Sequence, residues 1–387
     1  MGATNQSNNR KFVIIYILFV CFLLGALLFV YKISARSLRL GLISFVNKVR
    51  YASAVHSART PAKKEWLTNW PAIEESWNKI NYLVHVPYLM FQYTPNVRSP
   101  HLNTNDMGFR GKQDYSHLPS VPVDESYRYI LLLGGSSAFG AFSVSDENSI
   151  SGRLEAMLNE AYTKGRPFKV INLSAGFYNS FQEFIAYVLY GLKFKPAAVV
   201  TFDGFNDASV SCSVHEGKRV PMVSGNYYYT KEVLDAINRQ SLRTQRNPAF
   251  LTQLSTETAW DKESKDYIND VAELYARNLG LICLLAREQG SKVVLTLQPV
   301  HVLKDGRLAW RYGREDLEQI YRLMPQKVRG VAEKYGAVFI DFQEIFSKSP
   351  ELNDYFAHTD PVHLIDKGQE AVARSMFAAL QKMLSDE

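Results

Sequence analysis

Cysteine is scarce in this chain of 387 residues, with three in all, Cys21, Cys212 and Cys283. There is no CxxC pair and no Cys/His spacing suited to zinc, so neither a redox dithiol nor a zinc module is expected. A Cys212–Cys283 disulfide requires the two residues to meet in space, which sequence does not tell. Cysteine usage therefore leaves the redox compartment open. A large charge imbalance is missing too. The formal net charge is +6, much of it near the N-terminus, so nucleic-acid binding is not expected. Repeats and low-complexity tracts are absent, which excludes a repeat architecture.

Charge is also absent from one long stretch, and there the lack is itself a signal. Residues 12–31 read FVIIYILFVCFLLGALLFVY without a charged side chain. About 20 apolar residues are what a helix needs to cross a bilayer. A cleavable signal usually has an apolar run of roughly 7–15 residues before a small-residue cleavage site. Here KISARSLR follows instead, so residues 12–33 are expected to be an uncleaved, single-pass anchor behind a tail of residues 1–11. Arg10 and Lys11 precede the span, and Lys32, Arg36 and Arg39 follow it. That charge bias, taken alone, puts the C-terminal part on the cytoplasmic side. The large C-terminal part is nonetheless expected to be extracytoplasmic, behind an anchor in the bacterial inner membrane, and the two indications conflict. Residues 34–64 read as a juxtamembrane helix and a linker (58–64). The helix lies on the membrane surface or docks on a partner in a membrane complex.

Residues 65–125, rich in Trp, Tyr, Pro and Asn, are expected to form an extension packed on the core, with YTPNVRSPHLNTNDMGFRG as an ordered loop. From 126 to 387 short apolar runs alternate with helical patterns. YRYILLLGG, FKVINLS, AAVVTFDG, SKVVLTLQP and AVFIDF read as strands, each followed sooner or later by a helix. Strands without polar alternation suit burial on both faces, as in a parallel sheet. The pattern predicts a doubly wound α/β domain. An insertion at about 208–265, carrying Tyr227, Tyr228, Tyr229 and Trp260, follows a strand end. It is read as surface elaboration or as part of a substrate lid.

Four short motifs lie at strand ends or before the last helix. Gly134-Gly135-Ser136-Ser137-Ala138-Phe139-Gly140 places a serine on a strand-to-helix turn. It is neither the G-x-S-x-G elbow nor a phosphate-binding loop. Ser174-Ala175-Gly176 offers an unobstructed backbone N–H. Gly204-Phe205-Asn206-Asp207 offers a side-chain amide. Asp360-Pro361-Val362-His363 sets a carboxylate three residues before a histidine, a spacing that lets the Asp orient the ring as a serine's general base. Each motif alone reads equally as an ordinary turn. Their order is far more specific than any one of them.

In that order the motifs resemble the SGNH hydrolases, also called the GDSL esterase/lipase superfamily. The resemblance covers about residues 125–385. Ser136 has Gly140 at the family's spacing, and Gly176, Gly204 to Asp207 and Asp360 to His363 match the later blocks. The family's usual Asp before the serine is Gly135 here. The resemblance implies a flavodoxin-like three-layer α/β/α sandwich with a parallel sheet. It implies Ser136, Asp360 and His363 as the catalytic groups, with Ser136, Gly176 and Asn206 as the oxyanion hole, and no metal or organic cofactor. The expected substrate is an acylated carbohydrate or a lipid ester, first of all an acetyl ester on an envelope carbohydrate. The alternatives are an O-acyltransferase on an envelope polysaccharide, or a non-catalytic glycan-binding or scaffold subunit of a membrane complex.

Overall fold

The computed structural model describes residues 60–80, 84–116, 121–210, 212–215, 218–221, 266–301, 315–357 and 360–385. They belong to one compact unit, Thr60–Glu387. Among them no helix is long and apolar enough to cross a membrane. The expected span at 12–33 and the juxtamembrane helix lie outside the described residues.

The core is a five-stranded parallel sheet. Its strands are β3 (Arg128–Gly134), β4 (Phe168–Asn172), β5 (Ala198–Phe202), β8 (Lys292–Leu297) and β9 (Val338–Asp341), in the spatial order β4-β3-β5-β8-β9. Counted within the sheet this is the 2-1-3-4-5 order of flavodoxin-like folds, with the switch point between β3 and β5. Apolar residues occupy both faces of β3, as its unbroken run requires. Leu131 and Leu133 join the core on one side, and Ile130 and Leu132 the core on the other. The first side is covered by α4 (Ser180–Ala186), α6 (Tyr267–Glu288) and α7 (Glu315–Tyr335). The second is covered by α3 (Ile150–Ala161), α8 (Phe342–Ser347) and α10 (Asp366–Leu384). Strand β4 is an edge, and α3 caps it. Asn159 accepts from the Phe168 N–H at 2.7 Å and Glu155 from the Val170 N–H at 2.9 Å, which blunts its pairing potential.

Three short helices fill the strand ends: α2 (Ser136–Phe139) after β3, α5 (Phe205–Val210) after β5, and α9 (Leu352–Tyr355) near the C-terminus. The extension is helix α1 (Pro61–Ile80), the hairpin of β1 (Val84–Val86) and β2 (Met90–Gln92), and a loop to residue 116. The helix starts at Pro61, inside the stretch expected to be linker. Proline suits a first helical position, where its missing N–H has no partner to lose. Of the insertion, α5 runs to Val210 and a hairpin of β6 (Cys212–His215) and β7 (Lys218–Pro221) follows. Tyr227, Tyr228, Tyr229 and Trp260 lie outside the described residues. Cys283 is a free thiol in α6, so the disulfide left open by the sequence does not form. Burial pushes that thiol up to about 12.

Candidate active site

Strand β3 delivers Ser136 to the carboxyl edge of the sheet, at the switch point. The turn is tight because α2 ends after four residues at Gly140, whose φ of 78° is left-handed. A side chain there would be strained, which accounts for a glycine four residues after the serine.

Ser136 Oγ lies 2.8 Å from His363 Nε2, and His363 Nδ1 lies 2.7 Å from Asp360 Oδ2. With the ring's proton on Nδ1, facing the carboxylate, the Nε2 lone pair faces the serine hydroxyl. The second oxygen of Asp360 accepts the backbone N–H groups of Val362 (2.8 Å) and His363 (2.9 Å). Burial alone would raise the Asp360 pKa. The neighbouring His363, by charge and hydrogen bond, and these backbone donors bring it down to about 2. The chain segment carrying Asp360 and His363 is fastened to the serine side. Ser137 Oγ donates to the Val362 carbonyl at 3.2 Å, and Gln298 Nε2 donates to Ser137 Oγ at 2.9 Å.

Gly176 and Asn206 come to the same edge. A Cβ placed on Gly176 would lie 3.9 Å from the Ser136 Cβ and 1.9 Å from the Tyr93 hydroxyl oxygen. Gly176 sits in a turn closed by the Tyr178 N–H on the Ala175 carbonyl (3.3 Å), with Phe177 left-handed at φ 65°. Asn206 Nδ2 donates to the Tyr178 carbonyl at 2.8 Å, tying that turn to the end of β5. A Cβ on Gly135 would meet the same Nδ2 at 2.5 Å. In this structure the amide of Asn206 therefore occupies the space beside Gly135 that a side chain before the serine would enter.

Behind Asn206 three carboxyl groups are buried together. Burial pushes Asp207 up to about 8, and Asp203 adds to it, although Ser180 donates to Asp207 from its hydroxyl (2.5 Å) and its N–H (3.1 Å). Burial and then the charge of Asp203 raise Glu183 far above the carboxylate range. Asp203 is raised as well, by burial, against hydrogen bonds from Glu183 and Tyr275. Among the described residues no group of three or more His, Cys, Asp or Glu is arranged to hold a metal ion.

The five residues expected from sequence therefore meet at one sheet edge. Other supporting residues carried weaker signals. Arg110, in the NTNDMGFRG loop, is 6% exposed. Its guanidinium donates to the carbonyls of Phe139 (3.1 Å) and Ser145 (2.9 Å), also to that of Gly140, and pairs with Asp146 at 2.9 Å. It clamps the segment that follows Ser136. An arginine inside a turn-rich loop gives no sequence hint of this. Gln298 could have been found, because it is the polar residue just past the end of β8 at the same sheet edge. A cavity of about 470 Å³ opens behind the Arg110 clamp, lined among others by Arg110, Asp146, Ser149 and Asn172. Neither Ser136 nor His363 lines it.

The sequence profile of the GDSL-like lipase/acylhydrolase family matches residues 132–371. Similar solved structures include LAE5, an α/β hydrolase from the metagenome of Lake Arreo, Spain, at 13% identity over 65% of this chain and 94% of that one, TM-score 0.40. The acetyl xylan esterase AlAXEase is similar at 15% identity over 65% and 98%, TM-score 0.39. TesA is similar at 16% identity over 66% and 100%, TM-score 0.40. No curated protein matches the sequence.

Proposed function

The chain belongs to the GDSL-like lipase/acylhydrolase family and is an SGNH-type esterase; from that premise we propose that it cleaves short acyl esters, acetyl first, on a cell-envelope carbohydrate through Ser136, His363 and Asp360. The observation that carries the hydrolytic part of this reading is the aligned pair of hydrogen bonds, 2.8 Å from Ser136 to His363 and 2.7 Å from His363 to Asp360. A binding or scaffold subunit would have no use for that alignment.

In the proposed reaction Ser136 Oγ attacks the ester carbonyl carbon while His363 Nε2 takes its proton. The carbonyl oxygen becomes an oxyanion, stabilised by the N–H groups of Ser136 and Gly176 and by the Asn206 amide. One Asn206 hydrogen is used on the Tyr178 carbonyl, which orients the group and leaves the second for the oxyanion. The intermediate collapses as the C–O bond to the alcohol breaks, and the alcohol leaves with the proton held by His363. Water then attacks the acyl-enzyme by the same route and restores Ser136. Residues 12–33 would tether this domain to the bacterial inner membrane with the site outside.

The test is hydrolysis of acetate and longer acyl esters by the intact chain in detergent, beside Ser136→Ala. A loss of about 1000-fold or more in kcat, with loss of fluorophosphonate labelling, is expected. Undiminished activity in Ser136→Ala would sink the assignment. A reporter fused after Glu387, active on one side of the membrane only, tests the sidedness.

A further inference from the structure

The face of α1 that packs on the serine's surroundings is aromatic. Trp66, Trp70, Ile73 and Trp77 recur at intervals of three and four residues and so form one stripe. Trp77 packs on Tyr93 at 5.5 Å and on Phe139 at 6.1 Å. Nearer the start of the helix, Trp66 and Trp70 lie 5.1 Å apart and meet Phe142 at 5.9 and 4.7 Å. Phe142 in turn lies against the His363 ring, at 4.6 Å and 37°. Trp66 is buried and donates its indole N–H to the Phe142 carbonyl at 2.8 Å, which fixes the loop under the rings. Trp70 and Phe142 are only half-buried.

Ester chemistry decides which half of a substrate meets these rings. The departing alcohol oxygen takes its proton from His363 Nε2, so the alcohol half lies on the histidine side. The oxyanion lies on the side of Gly176 and Asn206. A half-open Trp/Phe pair next to that histidine is within reach of the alcohol. Polar groups border the same region. Lys63, one turn before Trp66, donates to the Asn353 carbonyl at 2.8 Å, and the Asn353 side chain is bonded to His301 at 3.0 Å. The His301 N–H donates to the Pro361 carbonyl at 2.7 Å, within the segment that bears Asp360 and His363. An apolar floor with polar groups beside it matches a sugar ring, which has apolar C–H faces and hydroxyls on its edges. The two tryptophans precede residue 132, where the family match begins, so α1 adds this wall to the hydrolase core.

We infer that Trp70 and Phe142 form a subsite for the alcohol half of the ester and take the apolar face of a sugar ring there. The inference rests on the serine-esterase reading above. It is tested with the intact chain in detergent on two primary acetates, methyl acetate and a methyl 6-O-acetylglucopyranoside, comparing Trp70→Ala, Trp70→Phe and Phe142→Leu. The ratio of kcat/KM for the sugar ester to that for methyl acetate is expected to fall about tenfold in Trp70→Ala, mostly through KM, and to recover in Trp70→Phe. Phe142→Leu supplies the same ratio should Trp70→Ala fail to fold. An unmoved ratio, or equal losses on both esters, overturns the inference alone, because the rings would then only hold α1 in place. Cleavage of methyl acetate with no cleavage of the sugar ester by the unaltered chain overturns the carbohydrate reading and the inference together. Cleavage of neither ester overturns the acetyl-ester reading as well, while the Ser136 assignment stands or falls on Ser136→Ala with the longer acyl esters.

Discussion

An alanine at position 176 would set its Cβ 1.9 Å from the Tyr93 hydroxyl oxygen, while the next atom of that ring, Cζ, is 3.1 Å away. Tyr93 is 1% exposed and packed between Trp77 and Phe139, so it has little room to withdraw. Gly176→Ala is therefore expected to lower both stability and esterase activity. Tyr93→Phe removes the colliding oxygen, so the double variant should regain part of both losses. Thermal melts and kcat/KM for an acetate ester, measured over the four-protein cycle, check this, and additive losses would count against it. The same steric logic governs Gly135, where the Asn206 amide stands in the way of a side chain. The departure from the family's usual Asp leaves the 2.8 Å contact between Ser136 and His363 in place.

At the scale of elements, α5 is joined to the start of α4 by Asp207, which accepts from Ser180, and Asn278 of α6 donates to the same Ser180 hydroxyl at 3.0 Å. The Asp207 pKa is about 8 in the folded chain and 3.8 in its ordinary state. Between those values the folded form keeps a proton that the unfolded form has lost, so stability falls as pH rises through that window. Asp203 and Glu183, raised by the same burial, push in the same direction. Asp360 does the reverse. Its pKa is lowered to about 2, so its contribution is present above pH 3.8 and is lost as pH falls through 2. The denaturant midpoint is therefore expected to drop from pH 5 to pH 8, and Asp207→Asn is expected to flatten that drop. A midpoint that rises with pH in the unaltered chain would contradict the burial of protonated carboxyls behind the site.

At the scale of the whole molecule, the extension is part of the core. Phe91 packs on Tyr178 at 5.6 Å, Phe109 on Tyr190 at 5.4 Å and Tyr115 on Phe194 at 5.2 Å, and Arg110 clamps the segment after Ser136. A chain beginning at Thr60 is expected to melt cooperatively. One beginning at Val121 contains the whole family match, yet it should lose near-UV circular dichroism and cooperative melting, because large aromatic faces would be left in water. A cooperative melt of the shorter chain, at a similar temperature, would show the extension to be dispensable for folding.

The α/β class, the five strands of the sheet and the five residues now gathered at its edge could all be read from the sequence. Those features are local or ordered along the chain. Unbroken apolar runs declare strands buried on both faces, and the order of the four motifs along the chain singles out residues that each motif alone leaves as ordinary turn formers. Most of what surrounds the site could not be read in this way. Arg110, Tyr93 and Trp70 act on partners dozens of residues away, and no periodicity links them to Ser136. The start of α1 at Pro61 was hidden for a similar reason, since the stretch from 58 to 64 has the composition of a linker, and it is burial of the aromatic stripe of α1 that favours the helix. Sequence by itself determined the family and which candidate residues the strand ends carry. Only the tertiary structure decided what walls that chemistry in, because packing of α1 and the 93–111 loop onto the serine's turn depends on shape complementarity between distant segments, which no spacing along a chain encodes.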